Sequence, residues 1–191
     1  MPTYHQSLAK RLLDIFFSLL ILPLAIPAIC CCLLLILATS GSPLFFVQTR
    51  VGRNEKHFQL IKLRSLKNKF DAAPGALHGP DDITFIGRLM RSSRIDELPQ
   101  IWNILKGEMS WVGPRPEVPY HYEHFKQRDA NYATRQLVKP GITGLAQLNN
   151  PDALPNENLE KLKLDLEYVN QANIWMDLRI LAQTFLLTWT R

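Results

Sequence analysis

The sequence predicts a mostly helical α+β protein set into a membrane surface, with an N-terminal re-entrant membrane helix broken by proline, a short β-hairpin and amphipathic surface helices. Three observations carry this. Ile15 to Leu37 is almost wholly apolar and is interrupted only by Ser18, Pro23 and Pro27. Two β-prone runs follow it within 25 residues, and apolar residues at helical spacing fill most of the remainder. At 191 residues the chain suits one core, divided here into a membrane segment, 1–40, and a catalytic-type domain, 41–191.

The apolar run has about the length a membrane span needs, ~20 residues for a ~30 Å hydrocarbon core. It is long for the apolar part of a cleaved signal peptide. Lys10 and Arg11 precede it, and Arg50, Arg53, Lys56, Lys62, Arg64, Lys67 and Lys69 follow it. A simple span places one of these basic flanks on the wrong side. The flanks and the central prolines therefore favour a segment that enters, bends near Pro23 or Pro27 and returns, with Ser18 satisfying a freed carbonyl. The ordinary alternative is a single span with tolerated prolines. Asp14 lies four residues after Lys10, where the two can pair at the membrane mouth. Cys30, Cys31 and Cys32 sit inside the run, without disulfide or metal-ligand spacing, and read as small hydrophobes.

Ser42 to Gln48 and Phe58 to Leu63, joined through Gly52-Arg53-Asn54-Glu55, read as a hairpin. Lys62 and Arg64 share a face of its second strand, which on these residues alone is a solvated face. Lys67 to Asp82, with Pro74, Gly75, Gly79 and Pro80, reads as a surface loop. A short helix follows from Thr84, carrying Phe85, Ile86, Leu89 and Met90 with Arg88 and Arg91.

Asp96 and Glu97 stand just before Pro99, which suits the first turn of a helix, and Asp is a favoured cap at such a junction. Free N–H groups there favour a charged carboxylate or an approaching phosphate. With Arg88, Arg91 and Arg94 close by, the stretch is either a site for a phosphorylated, metal-bound substrate or an ordinary cap with surface ion pairs, and these residues alone favour the ordinary reading. Ile101, Ile104 and Leu105 continue as a helix ended by Lys106-Gly107. In Val112-Gly113-Pro114-Arg115-Pro116 two prolines hold an arginine in a stiff turn, suited to a phosphate, a planar base or a salt bridge.

Pro119 to Arg135 reads as one amphipathic helix. His121 and His124 within it lack the third ligand of a zinc motif. Lys139 to Gln147 is a glycine-punctuated turn with neither P-loop nor dinucleotide-binding spacing. Two helical stripes close the chain, Leu159, Leu162, Leu166 and Val169, then Ile174, Leu178, Leu181 and Phe185 flanked by Trp175 and Trp189. Their tryptophans suit a membrane interface or a core equally.

A net charge of +5 and a pI of about 9.2 point to an anionic partner. Nucleic acid explains neither the apolar run nor the carboxylates. A non-catalytic scaffold holding anionic lipid needs the basic flanks but not Asp96.

Taken in order, Lys10-x-x-x-Asp14, Gly41-Ser42-Pro43-x-x-Phe46-x-Gln48-x-Arg50-x-Gly52, Phe58-x-x-x-Lys62-x-Arg64-Ser65, Thr84-x-x-Gly87-Arg88-x-x-Arg91, Asp96-Glu97-Leu98-Pro99-Gln100, Val112-Gly113-Pro114-Arg115-Pro116, Pro140-Gly141-Ile142-Thr143-Gly144-x-Ala146-Gln147 and Asp165-x-x-Tyr168 form one pattern. It resembles the bacterial sugar transferases, the small monotopic polyprenyl-phosphate phosphoglycosyl transferases, from about Lys10 to Thr188. The resemblance reverses the reading of the acidic pair. It implies transfer of a sugar 1-phosphate from a UDP-sugar to a polyprenyl phosphate such as undecaprenyl phosphate, with release of UMP and with Mg²⁺ as cofactor. Position by position it makes Asp96 the nucleophile that forms a covalent phosphosugar intermediate. Glu97 becomes its partner and magnesium ligand, and Lys62, Arg91 and Arg115, with Arg88 as a further candidate, the phosphate-binding cations. It implies the cytoplasmic membrane, with the catalytic domain on the cytoplasmic face, membrane lipid as a partner and no nucleic acid. The start just before Lys10 suits a small stand-alone form. Leu145, Asn149-Asn150-Pro151 and the 71–82 loop depart from the common pattern, so the sugar and the pathway stay open, as does oligomeric state, with a homodimer among the options.

Overall fold

The long helix begins where the sequence supplies a cap. Ser7 accepts the Lys10 N–H on its hydroxyl at 3.2 Å, and α1 then runs from Leu8 to Ser40, ending at Gly41 with φ +66°. The computed structural model describes residues 4–67, 79–149 and 158–189. Most of the 67–82 loop and the Asn150-Pro151 departure lie outside them. After α1 come β1 (Phe45–Val51), β2 (His57–Leu63), α2 (Phe85–Ser92), a 3₁₀ turn (Ile95–Gln100), α3 (Ile101–Lys106) and β3 (Ser110–Val112). The chain continues through α4 (Pro119–Arg128), a 3₁₀ segment (Ala130–Leu137), β4 (Gly141–Thr143), α5 (Leu145–Asn149), α6 (Asn158–Gln171) and α7 (Ile174–Trp189).

At 33 residues α1 is roughly 50 Å long if straight, and it is apolar enough to cross a membrane by length and composition. Pro23 and Pro27 both lie inside the helical span. Each lacks an N–H, which removes the usual donor for the carbonyl four residues earlier, at Leu19 and at Pro23. Ser18 serves neither. Its hydroxyl donates to the Asp14 carbonyl at 2.7 Å and accepts the Trp111 indole N–H at 3.0 Å, so it fastens the helix to the domain. Leu13, Asp14, Ser18, Ala25, Cys32 and Ile36 are buried, while Leu8, Leu12, Phe16, Leu24 and Leu34 are exposed. One face of α1 thus lies along the rest of the protein for most of its length, and the other face is bare hydrocarbon.

Both ends of α1 are tied to this same body. Near the start, the Arg11 guanidinium donates at 2.6 Å to the carbonyls of Ile104 and of Leu105, in the last turn of α3. At the far end, Arg64 donates to the carbonyls of Ser40 and Gly41 at 2.8 and 2.7 Å. Each arginine donates to carbonyls at the end of a helix, where intrahelical donors run out; the Ile104 carbonyl also accepts the Gly107 N–H at 2.9 Å.

The expected hairpin forms, antiparallel, with Phe46 opposite Lys62 and Val51 opposite His57. A second pairing was not expected from sequence: β3 and β4 run parallel, Ser110 opposite Gly141 and Val112 opposite Thr143. Three-residue buried strands leave no periodicity to read. Glycine makes this pairing possible, because a Cβ on Gly113, Gly141 or Gly144 would enter the Lys139 or Gly113 backbone. The segment read as one helix from Pro119 to Arg135 is two. Asp129 adopts extended φ/ψ of −143° and 115°, ending α4, and its carboxylate accepts the Asn131 N–H at 2.8 Å.

Three apolar clusters lie beneath these elements. The largest joins Ala25 of α1 to Phe58, Ile101, Ile104, Met109, Trp111, Tyr168 and Ile180. A second gathers Val51, Tyr122, Phe125, Tyr132 and Leu162. The third seats Cys32 and Ile36 on Leu63 and Met90. On α2 and α7 the large apolar side chains Phe85, Leu89, Trp175 and Phe185 point outward instead.

Candidate active site

The acidic pair sits where the hairpin meets the start of α3. Arg94 takes a left-handed conformation, φ 56° and ψ 16°, without a side-chain cap, and the 3₁₀ turn starts at Ile95. Asp96 and Glu97 are therefore inside the first turn rather than capping a helix that begins at Pro99, which lies further along the same turn. The 3₁₀ winding starts at Ile95, four residues before Pro99 is reached. Both carboxylates are buried, at 6% and 8% residue exposure.

Their surroundings differ. A single oxygen of Glu97, Oε1, receives the Lys62 ammonium at 2.7 Å and the Arg115 guanidinium at 3.1 Å. Burial alone would raise the Glu97 carboxyl, but the Lys62 and Arg115 charges outweigh it and hold the group well below the usual carboxylate range. Among the described residues the side chain of Asp96 makes no hydrogen bond or ion pair. Burial raises its pKa above the ordinary value, only partly opposed by Lys62. Two adjacent carboxyl groups are thus pushed apart in proton affinity, one fixed and charged, the other uncommitted.

The cations are placed by backbone contacts that the sequence motifs encode. Lys62 projects from β2. Arg91 is oriented by Ser65, whose hydroxyl accepts its Nε–H at 2.9 Å. Ser65 in turn receives the Thr84 N–H on its carbonyl at 3.0 Å, while the Thr84 hydroxyl caps α2 by accepting the Gly87 N–H at 2.9 Å. A Cβ on Gly87 would collide with the Ser65 carbonyl, so α2 packs this closely only with glycine there. Arg88 is different. Both arginines are exposed on α2, but the Arg88 side chain makes no hydrogen bond or ion pair among the described residues. Of the sequence candidates, the structure brings together Lys62, Asp96, Glu97 and Arg115, with Arg91 beside them, and leaves Arg88 outside.

Arg115 rides on a loop whose backbone is held at nearly every residue. Gly113 N–H donates to Thr143, Gly141 N–H to Pro114 and Val51 N–H to Glu117, each at 2.9 Å. Arg50 donates to the Pro116 carbonyl at 2.9 Å, and Arg135 to the Arg115 carbonyl at 3.0 Å. In the sequence Arg50 stands in the basic flank and in the Gly41–Gly52 motif, with no role assigned to it. Arg135, which the sequence reading passed over, is buried against Asp165 at 2.7 Å and Glu117 at 3.6 Å and lies over the Tyr132 ring at 4.8 Å. Its one available signal was an arginine within an otherwise apolar stripe. A buried guanidinium held by two carboxylates, a tyrosine hydroxyl and the Arg115 carbonyl is a brace for the loop, not a ligand for substrate.

Lys10 and Asp14 do pair, at 3.7 Å, with both side chains buried. Lys10 is closer to Asp177, at 2.6 Å, and Asp177 also accepts the hydroxyls of Tyr4 at 2.7 Å and Tyr168 at 2.8 Å. Asp14 accepts the Ser110 hydroxyl at 2.8 Å and the Trp111 N–H at 3.1 Å. This network joins α1, β3 and α7. Among the described residues no group of three His, Cys, Asp or Glu side chains is arranged to hold a metal, His121 and His124 included.

An uncommitted carboxylate beside a charged one, with Lys62, Arg91 and Arg115 around them, has the charge and geometry that suit phosphate groups, in a chain whose first helix is long and apolar enough to cross a membrane. The chain belongs to the bacterial sugar transferase family, whose profile it matches over residues 5–191. It is 36% identical to the UDP-glucose:undecaprenyl-phosphate glucose-1-phosphate transferase of Caulobacter vibrioides, over 96% of this chain and 71% of that protein. It is 39% identical to the Escherichia coli enzyme of the same name, over 94% of this chain and 40% of that one. With the UDP-N-acetylgalactosamine-undecaprenyl-phosphate N-acetylgalactosaminephosphotransferase of Aeromonas hydrophila it shares 34% identity, over 96% of this chain and 44% of the relative. The chain thus spans less than half the length of two of these three relatives.

Proposed function

We propose that this protein transfers a sugar 1-phosphate from a UDP-sugar to undecaprenyl phosphate through an aspartyl-phosphosugar intermediate on Asp96. The observation that carries this is the division of labour in the acidic pair: Glu97 is anchored by Lys62 and Arg115, while Asp96, buried beside it, is committed to nothing. An aspartate is a weak nucleophile. Phosphoryl transfer, however, depends mostly on alignment and on neutralising the non-bridging oxygens, which is what a fixed ring of cations supplies.

The reaction divides into two balanced displacements. A carboxylate oxygen of Asp96 attacks the phosphorus that bears the sugar, and the bond from that phosphorus to the bridging oxygen of UMP breaks, UMP leaving with the electron pair. An oxygen of the lipid phosphate then attacks the same phosphorus, the Asp96 oxygen–phosphorus bond breaks, and the carboxylate is restored with the sugar on a lipid diphosphate. Lys62, Arg91 and Arg115 hold the phosphate oxygens during both steps. Glu97 suits a Mg²⁺ ligand through Oε2, because Lys62 and Arg115 both bind Oε1 and Oε2 makes no hydrogen bond among the described residues; magnesium takes one or two carboxylates together with substrate phosphates. When bound, the ion would add positive charge at those phosphates.

The same reading places α1 as a re-entrant segment in the cytoplasmic membrane, with the domain on the cytoplasmic face. Support comes from the two arginine anchors and from the buried face that accompanies α1 past both prolines. A domain in contact with both ends of one helix cannot stand on opposite sides of a bilayer. Exposed Phe85, Leu89, Trp175 and Phe185 would then lie at the lipid interface.

The test is UMP release from a panel of UDP-sugars by purified, detergent-solubilised protein with Mg²⁺ and undecaprenyl phosphate. Single-turnover trapping of a phosphosugar on Asp96 runs alongside. Release with one donor, abolished in Asp96→Asn, supports the reading; release that survives in Asp96→Asn removes the nucleophile. Labelling of the segments before Lys10 and after Arg50 from opposite faces of sealed vesicles would refute the re-entrant topology.

A further inference from the structure

A cavity of about 210 Å³ opens beside the first turns of α1, lined by His5, Lys10, Arg11, Asp14, Arg53 and Lys139 among others. None of the residues around Asp96 lines it. The cavity adjoins the carbonyl end of α3, where Arg11 is bonded to Ile104 and Leu105, whereas Asp96 lies at the start of the preceding 3₁₀ turn. The length of that turn and of α3 lies between the two along the chain.

Charge in this cavity is unbalanced. Four cationic side chains face one carboxylate, and that carboxylate is already engaged by Lys10, Ser110 and Trp111. Lys10 itself is consumed by Asp177. The side chains of Lys139 and Arg53 make no hydrogen bond or ion pair among the described residues, and Arg11 spends only part of its donor set on the α3 carbonyls. Lys139 is held below its usual lysine value, first by burial and then by the neighbouring Arg11. The structure would relax if an anion entered. The exposed Leu8 and Leu12 lie on the same two turns of α1, so a bilayer covering the apolar face of the helix would bring headgroups to the rim.

We infer that this cavity is a second anion site, built to hold a phosphate group between Lys139, Arg53 and Arg11 at the foot of the membrane helix and separate from the acidic pair. The phosphate can belong to an anionic lipid headgroup or to a small soluble phosphate. This assignment goes beyond the transfer reaction and holds whether or not Asp96 is the nucleophile.

Two arms distinguish the sources. Native mass spectrometry of full-length protein from mixed phosphatidylglycerol and phosphatidylcholine nanodiscs reports enrichment of the anionic lipid, and titration calorimetry in detergent reports inorganic phosphate. The expected result is binding in at least one arm, weakened about tenfold or more in Arg53→Gln/Lys139→Gln, since two charge-assisted contacts are lost. Lys139→Arg and Asp96→Asn should retain it. Enrichment without phosphate binding identifies a headgroup, and phosphate binding without enrichment a soluble ligand. Absence of both in wild-type protein overturns the assignment, as does equal binding by the double variant with an unchanged melting temperature.

Discussion

The loop that carries Arg115 separates two ionic clusters built from the same residue types for opposite purposes. On one side Arg135 is buried with Asp165 at 2.7 Å and Glu117 at 3.6 Å, donates to Tyr132 and to the Arg115 carbonyl, and carries its charge against two carboxylates. On the other side Lys62 and Arg115 converge on one oxygen of Glu97, and Asp96 has no partner at all among the described residues. The first cluster is closed and holds the loop. The second is deliberately incomplete: more positive charge surrounds the pair than Glu97 uses, and a carboxylate that raises its own energy by being buried is kept beside it. A buried carboxylate left without a partner belongs at reacting groups, whereas a guanidinium paired with two carboxylates marks a brace.

If that contrast is right, the largest effect comes from the open cluster. Asp96→Asn should lower sugar-phosphate transfer by about a thousandfold or more, because the nucleophile itself is removed. The same substitution should raise stability at neutral pH by about 1 kcal/mol, since it deletes a buried charge that the fold disfavours next to Glu97. Thermal melting beside turnover checks both, and a destabilised Asp96→Asn protein would break the comparison. The closed cluster should respond in the opposite way. Arg135→Gln should cost about 3–5 kcal/mol of stability by stranding Asp165 in the interior, measured by urea denaturation. Whatever folded protein remains should retain a trapped Asp96 intermediate.

How much of this was legible in the sequence follows the same division. Local pattern was enough for the long apolar helix and for the hairpin strand that carries Lys62, whereas Asp96-Glu97, Lys62 and Arg115 acquired site roles only through the family resemblance, their own residues favouring a cap, a solvated face and an arginine open to several partners. What could not be read depends on partners remote in sequence. Arg135 meets Asp165, 30 residues on, and Asp177 meets Lys10, 167 residues away. Neither spacing has a local signature. The β3–β4 pairing was hidden for a related reason: glycines at 113, 141 and 144 resemble turn residues until the two backbones are seen in contact. Ser18 was misjudged in role, not in importance, because a hydroxyl in an apolar helix can serve the helix or its neighbour, and only the position of Trp111 decides between them.

Protonation offers a finer test within the open cluster. Glu97, with its pKa depressed in the fold, contributes stability that is complete above the ordinary carboxylate range of about 4.3 and is lost as pH falls through the folded value. Asp96 has the opposite sign. Its raised pKa means that the folded protein takes up this proton before the unfolded chain does, so acid favours the fold at this residue while disabling attack. Transfer should therefore fall on the acid side with a midpoint above the ordinary aspartate value of about 3.9. In Lys62→Met the midpoint should move further up, because Lys62 is the largest charge opposing the rise. A pH profile of single-turnover phosphosugar formation measures both. A midpoint unmoved by Lys62→Met would mean that another group sets the acid limb.

The smallest expected effect discriminates most sharply between motif and geometry. Arg88 and Arg91 lie three residues apart on α2, and both belong to the motif that precedes the acidic pair; the resemblance gives Arg91 a role and Arg88 only candidacy, and residue type alone gives no reason to separate them. The structure does: Arg91 is tied to Ser65 at 2.9 Å and its charge reaches Asp96, whereas Arg88 projects from the exposed surface. Arg88→Ala should leave kcat within about threefold of wild type, an effect of well under 1 kcal/mol, while Arg91→Ala should reduce it by about a hundredfold. Ser65→Ala should fall between them, since it releases the Arg91 guanidinium without removing it. Losses of similar size in Arg88→Ala and Arg91→Ala would show that α2 turns both arginines inward once substrate is bound, and the boundary drawn here between the open cluster and its surroundings would have to move outward to include Arg88.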